Sequence, residues 1–462
     1  ALHAQTRRAW EMEVAAERNE PCVEFLWDME KLFDSISLEV LFEQLSLHGY
    51  PVELMLLGAQ QHRAPRIFRV GATLSNKVSN FGVSILAGCQ QSVSFVRGLM
   101  LCFVQALSFS LTRGPTHCWQ HVDDLAQVVT DPSPGKVTIT GYRIGLLVKW
   151  WTRRLRLKLS AKSRIIPDCP VARAIASKLK PHGVVVQVGD RGDDVGVETC
   201  GGTRRCAKGL RGRIWKGARR ALPIAQIGKA ARVPTTKLTT MGLCAQQRWG
   251  HTVQGASPSQ RRAMKTNLKT STKYGRSRAC PDTVIAQEFG VGYNPDVQLP
   301  VEQIAEWVDL WHSFDEEDKA ISKKLWIKIL PRIKFGGNPW GFSRGPMSAV
   351  VNVALELGWI PSTPHLWNVN GGSAEVKFAN LEDGPFARTA LVLKAKEDAV
   401  RGMWCKAALH DMGAGLQLGI PILRPARTVS RQLAADGKVE AARGLNYAIV
   451  GAFPAEPFDD DG

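Results

Sequence analysis

The stretch LWDMEKLFDSI, residues 26–36, sets two aspartates six positions apart behind the apolar run CVEFLW (22–27). That run is short, continuous and rich in aromatic side chains, a pattern that predicts a buried strand ending at Asp28. Pro21 closes a predicted helix over residues 1–20, and Ser37 is the expected N-cap of a helix through Leu47, with Gly49 and Pro51 as its stop. A further helix is predicted over 52–61. The two carboxylates are therefore not equivalent. Asp28 stands at a strand end, whereas Asp34, beside Ser35 and Ser37, is expected to begin the helix that follows, where an acid suits the N-terminus.

Working outward, IFRV (67–70) and KVSNFGVSI (77–85) read as short strands. From Ser92 the apolar positions Val93, Val96, Met100, Phe103 and Leu107 alternate gaps of three and four, which places them on one face of a helix. The run 99–111 is too short to span a bilayer and reads as buried helix. Two short apolar strands flank HVDD (121–124), DPSPG (131–135) breaks the chain, a helix covers roughly 136–155, and LRLKLSAKSRII (155–166) returns as a strand. This order predicts an α+β fold, an antiparallel sheet with helices on one face.

In CWQHVDDLAQVV (118–129) Asp123 and Asp124 lie side by side where a tight turn would join two strands. Adjacent buried acids repel and lose hydration, so such a hairpin needs a cation or solvent. Magnesium meets that need, since it prefers hard oxygen ligands and keeps open positions for water and phosphate. Asp28 with this pair would suit two such ions about 4 Å apart, an arrangement that activates a hydroxyl and stabilises a leaving pyrophosphate. The chemistry implied is nucleotidyl transfer. An isolated Asp-Asp is ordinarily a surface turn. The order of acid-bearing strand, glycine-led helix and acidic hairpin is what argues for a site.

These residues resemble the reverse transcriptases of non-LTR retrotransposons. DMEKLFDSI (28–36) is similar to that family's motif A, with Asp28, Lys31, Phe33 and Asp34 at the matching positions. AGCQQSV (87–93) resembles motif B through Gly88, Cys89 and Ser92; HVDD resembles motif C through Asp123 and Asp124; LKLSAKS (157–163) resembles motif D, with Lys162 as its basic residue. DDVGVE (193–198) is similar to the primer-grip segment, with Val195 in place of a leucine.

The resemblance spans about residues 20–200 and implies a right-hand polymerase palm. It implies Asp28 and Asp123 as the principal metal ligands, Asp124 in support, and the backbone carbonyl of Met29 as a further ligand. Phe33 would lie under the sugar of the incoming nucleotide and exclude a 2′-hydroxyl, and Gly88 and Lys162 would contact the nucleotide. The cofactor implied is magnesium, or manganese in its place, with no small-molecule cofactor. The partners implied are an RNA template, a DNA primer and deoxynucleoside triphosphates. Motif B departs from the family pattern at Ala87, Gln90 and Val93. Motif C opens with His121 instead of the usual aromatic, and His121 is expected to pack rather than to ligate. Only 27 residues precede Asp28, and Arg7 and Arg8 do not replace the family's basic fingers. The chain thus reads as palm plus thumb from a longer polyprotein, or as a decayed copy that only binds nucleic acid.

The 462 residues carry a formal net charge of +18, and residues 199–281 contain nineteen Lys and Arg with no acid. Such a segment points to a polyanion. Within it RRCAKGLRGRIWKGARR (204–220) interleaves Arg204, Arg205, Lys208, Arg211, Arg213, Lys216, Arg219 and Arg220 with Trp215, and helical spacing is read in Ala207, Leu210, Ile214, Ala218 and Leu222. This is the expected phosphate-tracking surface of a helical thumb. The domains expected are a palm over 1–198, a basic thumb-like segment over 199–290, and a mostly helical, Trp-rich region over 291–462, with helices near 301–312, 316–329 and 386–411. The tryptophans from Trp307 to Trp367, with Trp404, are expected in a core. The ten scattered cysteines and the absence of a secretory signal read as a reduced, intracellular protein with no membrane partner, and the tail FDDDG (458–462) reads as disordered.

Overall fold

The protein is described by a computed structural model covering residues 2–67, 69–78, 82–109, 116–122, 124–231, 233, 235–369, 378–410, 416, 421 and 423–450. Asp123 and the tail 458–462 lie outside the described residues. The chain divides into two compact units, Glu11–Thr203, and Leu2–Trp10 together with Arg204–Gly462. The fold is α+β.

The first unit takes the second half of α1 (Leu2–Arg18) and continues through β1 (Cys22–Trp27), the single turn α2 (Leu32–Ser35), α3 (Leu38–Leu47) and α4 (Val52–Arg63). A small hairpin, β2 (Arg69–Val70) and β3 (Thr73–Leu74), precedes α5 (Gln90–Phe109). Then come β4 (Thr116–His121), β5 (Asp124–Thr130), α6 (Pro134–Arg154), β6 (Arg164–Ile166), α7 (Pro170–Leu179), β7 (Gln187–Val188) and a hairpin of β8 (Gly192–Asp194) and β9 (Val197–Thr199). The Ser37 side chain accepts the Val40 N–H at 3.5 Å, so α3 starts at the predicted cap.

Five strands form the main sheet in the order β4-β5-β1-β6-β7. Its pairs are antiparallel except β6–β7, which is parallel. The sheet is therefore mixed rather than antiparallel, because α7 carries the chain back to the same end before β7 begins. Two predicted strands also shrink. The described residues of KVSNFGVSI form only isolated bridges, at Val78 and Val83, and the strand in LRLKLSAKSRII is confined to Arg164–Ile166.

Alternation sorts the sheet's two faces. Val23, Phe25, Trp27, Leu125 and Val129 join one apolar core with Val96, Met100, Phe103 and Leu107 of α5 and with Val137, Ile144 and Val148 of α6. Trp27 Nε1 donates to Gln127 Oε1 at 2.9 Å, which satisfies both buried polar groups. Gly141 and Gly145 leave α6 without side chains where Ile175 and Leu179 of α7 press against it. The even-numbered residues point the other way. There Gly192 of β8 packs so closely on Leu26 that no Cβ would fit, and Thr199 Oγ1 donates to Glu24 Oε2 at 3.1 Å. Helices α5 and α6 thus cover one face, and the β8–β9 hairpin lies on the other, where Thr199 also meets Met12 of α1.

The second unit is almost wholly helical: α8 (Lys208–Ala231), α9 (Ala245–Arg248), α10 (Pro258–Thr270), α11 (Pro281–Glu288), α12 (Pro295–Ser313), α13 (Glu316–Phe335), α14 (Pro346–Glu356) and α15 (Pro385–Ala408), followed by α16 (Leu423–Ala435) and α17 (Val439–Val450). The seven C-terminal tryptophans are buried, as expected of a core. Five of their indole N–H groups are satisfied internally, Trp307 by Pro364 O, Trp326 by Pro361 O, Trp367 by Thr363 O, Trp359 by Asp398 and Trp340 by Glu356. No helix among the described residues is long and apolar enough to cross a membrane.

Candidate carboxylate site and basic surfaces

The register of β1 against β5 organises the candidate site. The pairing runs from Cys22↔Thr130 to Trp27↔Leu125, so one step further along sets Asp28 across from Asp124. Opposed residues in an antiparallel pair share a face. By alternation from Trp27, that face is the one turned away from α5 and α6. Both aspartates are half-buried. Like charges directly opposite destabilise a sheet by about 0.2–1 kcal/mol, so the arrangement calls for a positive partner.

The backbone beside them is directed as well. Met29 bridges Leu159, with Glu30 N–H donating to Lys158 O and Ser160 N–H donating to Asp28 O, each at 2.8 Å. This is the non-hydrogen-bonded type of pair, so the N–H and C=O of Met29 itself point away from that segment, to the side on which β5 lies. Asp28 is held from the opposite side: its N–H donates to Ser163 Oγ at 3.1 Å. Lys162, exposed in the turn between Ser160 and Ser163, is thereby tied to the strand carrying Asp28.

Phe33 sits in α2, half-buried against the core, and its carbonyl accepts the Ile85 N–H at 2.9 Å. Asp34 does not cap the following helix: it is exposed inside α2, and Ser37 performs the capping. The chain turns sharply enough after Glu30 that a separate helical turn intervenes, with Lys31 in the left-handed region at φ 49°. Gly88, at φ 84°, forms the turn that leads into α5, and Ser92 Oγ there donates to Leu86 O at 2.7 Å.

The β4–β5 hairpin closes through two residues, with His121 paired to Asp124. Val122 adopts φ 58°, which is strained for a β-branched side chain. Strain of this kind, on the order of 1–3 kcal/mol, persists where the surroundings hold it and concentrates at functional sites. His121 is exposed, so it does not pack as expected; it presents a ring across from Asp124. The β8–β9 hairpin also closes through two residues, Val195 and Gly196, both at positive φ, as the tight primed turns require. Among the described residues no group of three or more His, Cys, Asp or Glu is placed to hold a metal.

The basic segment separates into two populations. Arg261, 2% exposed, donates to Asp296, Glu356 and the Ala256 carbonyl, and Lys265 pairs with Asp282 and Asp296. Arg248 pairs with Glu302. Arg205 lies partly buried 5.0 Å from the Trp340 ring, donating to Gln260; burial lowers its pKa to about 10. The acids missing from 199–281 are thus supplied from 282–356, and these cations hold the second unit together.

The other population lies on α8. Leu210, Ile214, Gly217 and Ala221 form its buried face, rotated from the expected stripe because Gly217 and Ala221 let neighbours approach while Ala218 and Leu222 face solvent. No Cβ would fit at Gly217 against the Gln247 side chain. Lys208, Arg211, Trp215, Lys216 and Arg219 are exposed on the opposite side, with the Arg219 guanidinium 5.0 Å from the Trp215 ring. Among the described residues Lys208, Arg211, Lys216, Arg219 and Arg220 have no acidic partner. Arg204 is exposed and Arg213 half-buried.

The ion cluster of the second unit has a pH signature. Burial pushes the Asp296 carboxyl up, but Lys265 and Arg261 more than reverse this and leave it below its ordinary 3.8. A depressed carboxyl stabilises fully above its unfolded value and loses that contribution as pH falls through its folded value. Thermal melts are therefore expected to show the parent losing stability below about pH 4 more steeply than Asp296→Asn.

No protein-family profile and no curated protein sequence matches the chain.

Proposed function

We propose that the chain is the palm and thumb-like part of an RNA-directed DNA polymerase of the non-LTR retroelement type. The observation that carries this reading is the β1–β5 register, which leaves Asp28 and Asp124 next to its last pair, Trp27↔Leu125, on the face of the sheet turned away from α5 and α6. The resemblance of the five motifs, in order, supports it. Carboxylates with a directed backbone carbonyl are the hard oxygen donors that magnesium takes. Asp28, Asp124, Asp123 and the Met29 carbonyl would hold it. When bound, two such ions supply activation of the primer hydroxyl and stabilisation of the leaving pyrophosphate. The chain's own residues then position the substrates. Phe33 fills the space below the sugar and excludes a 2′-hydroxyl, Gly88 leaves its backbone open to the nucleotide, and Lys162 neutralises phosphate charge.

The exposed stripe of α8 is read as the duplex-tracking surface. Its cations Lys208, Arg211, Lys216 and Arg219 have no acidic partner among the described residues, and each phosphate contact contributes about −0.9 to the slope of log K against log salt. Replacing Lys208, Arg211, Lys216 and Arg219 together by alanine is expected to flatten that slope by about 3–4 on a primer–template duplex, measured by anisotropy. An unchanged slope would remove α8 from the interface.

A second reading, a nucleic-acid-binding remnant without catalysis, rests on the departures from the motif B pattern at Ala87, Gln90 and Val93. Extension of a DNA primer on an RNA template with magnesium separates the two readings. Binding without extension would leave the remnant.

A further inference from the structure

The first unit carries a second cation-rich surface, on the far side of its sheet from Asp28 and Asp124. Residues 132–189 contain twelve Lys and Arg and one acid, Asp168. Four of these cations are paired: Lys136 with Asp131, Arg156 with Glu39, Lys158 with Glu30 and Arg173 with Asp168. Six others, Arg143, Lys149, Arg153, Arg154, Lys178 and Lys180, stand on α6 or on and just after α7, and none has an acidic partner among the described residues. Lys149 Nζ donates to the His182 carbonyl, and the Tyr142 hydroxyl lies 2.8 Å from His182 Nε2. These contacts bring the turn after α7 against α6.

At the centre of this surface is Trp150, 52% exposed. Its position has no packing rationale, since the neighbouring Trp151 already fills the core by stacking on Phe103. Trp150 rests edge-on against Trp151 at 5.0 Å, which holds the indole in place, and the Arg154 guanidinium lies 5.5 Å from its ring. Leu146, Lys149, Trp150, Arg153 and Arg154 line an open depression of about 490 Å³.

An exposed, braced indole among cations that lack acids fits a polyanion with flat apolar faces. In a duplex the base faces are hidden by stacking, whereas a single strand can offer them to an aromatic ring while its phosphates meet the flanking cations. We infer that the outer face of α6 binds single-stranded nucleic acid, with Trp150 stacking on a base and Lys149, Arg153 and Arg154 meeting phosphates. This surface does not depend on the polymerase reading, because it shares no residue with the carboxylate site.

The test uses the full chain carrying the fourfold alanine change on α8, so that α6 is read alone. Anisotropy is measured with a labelled oligouridylate of about 15 nucleotides and with a duplex of the same length. Trp150→Ala should weaken single-strand binding about tenfold and leave the duplex within twofold, while Trp150→Tyr keeps most of the affinity. Arg153→Ala with Arg154→Ala touches only exposed side chains, and it should flatten the single-strand salt slope by about 1.4. Equal losses on single strand and duplex, or an unchanged slope in the double variant, would overturn the inference. So would loss of binding to phosphatidylserine vesicles or polyglutamate with oligouridylate binding retained, which would mark a membrane or an acidic protein as the partner.

Discussion

Asp28→Asn should make the metal-free protein slightly more stable and its nucleotidyl transfer about a thousandfold slower. The two effects have one cause. Asp28 and Asp124 are the next residues beyond the last β1–β5 pair, Trp27↔Leu125, and removing one of two like charges at such a position relieves a repulsion of about 0.2–1 kcal/mol. On the proposed reading the same pair would hold magnesium, and losing one carboxylate would forfeit several kcal/mol of transition-state stabilisation, each decade of rate being worth about 1.4 kcal/mol. Chemical denaturation with and without magnesium, beside a primer-extension rate, reads both. An ordinary surface acid would show neither change. A variant that loses stability in the absence of metal would mean that Asp28 is a structural residue.

Arg261→Ala is expected to destabilise the second unit by about 3–5 kcal/mol, since it strips a buried network of its central cation. The guanidinium meets Asp296 at 2.9 Å and Ala256 O at 2.8 Å, and its loss leaves these acceptors buried with fewer donors. Arg261→Lys should recover only part, because an ammonium cannot span Asp296, Glu356 and a carbonyl with a planar fork. Lys216→Ala, by contrast, should change stability by less than about 0.5 kcal/mol, as an exposed side chain without a partner. Urea denaturation of the three variants checks the division. If Arg261→Ala unfolds at the parent's midpoint, the separation of structural from exposed cations is wrong.

That division was not legible in the sequence, for a physical reason. Glu356 lies 95 residues from Arg261, so a segment that looks acid-free along the chain is partly neutralised in space. Local signals fared better. The aromatic run 22–27 is β1, Ser37 caps α3, and the strands around HVDD pair as a tight hairpin. The register that sets Asp28 opposite Asp124 depends on pairing across about a hundred residues, which no local pattern encodes. Small residues misled the reading of α8, since Gly217 and Ala221 carry little apolar weight yet face the core where helices approach most closely. The α6 surface was visible in composition, through the twelve cations of 132–189, but was overshadowed by the larger basic segment.

On the proposed reading the carboxylate face performs nucleotidyl transfer. Its most direct measurement is incorporation of labelled deoxynucleotide into a DNA primer annealed to RNA, by the purified chain with magnesium and with the metal chelated. Incorporation is expected to require magnesium and to be lost in Asp28→Asn and Asp124→Asn. No incorporation by a parent chain that demonstrably binds the primer–template, or incorporation that both variants retain, would contradict it.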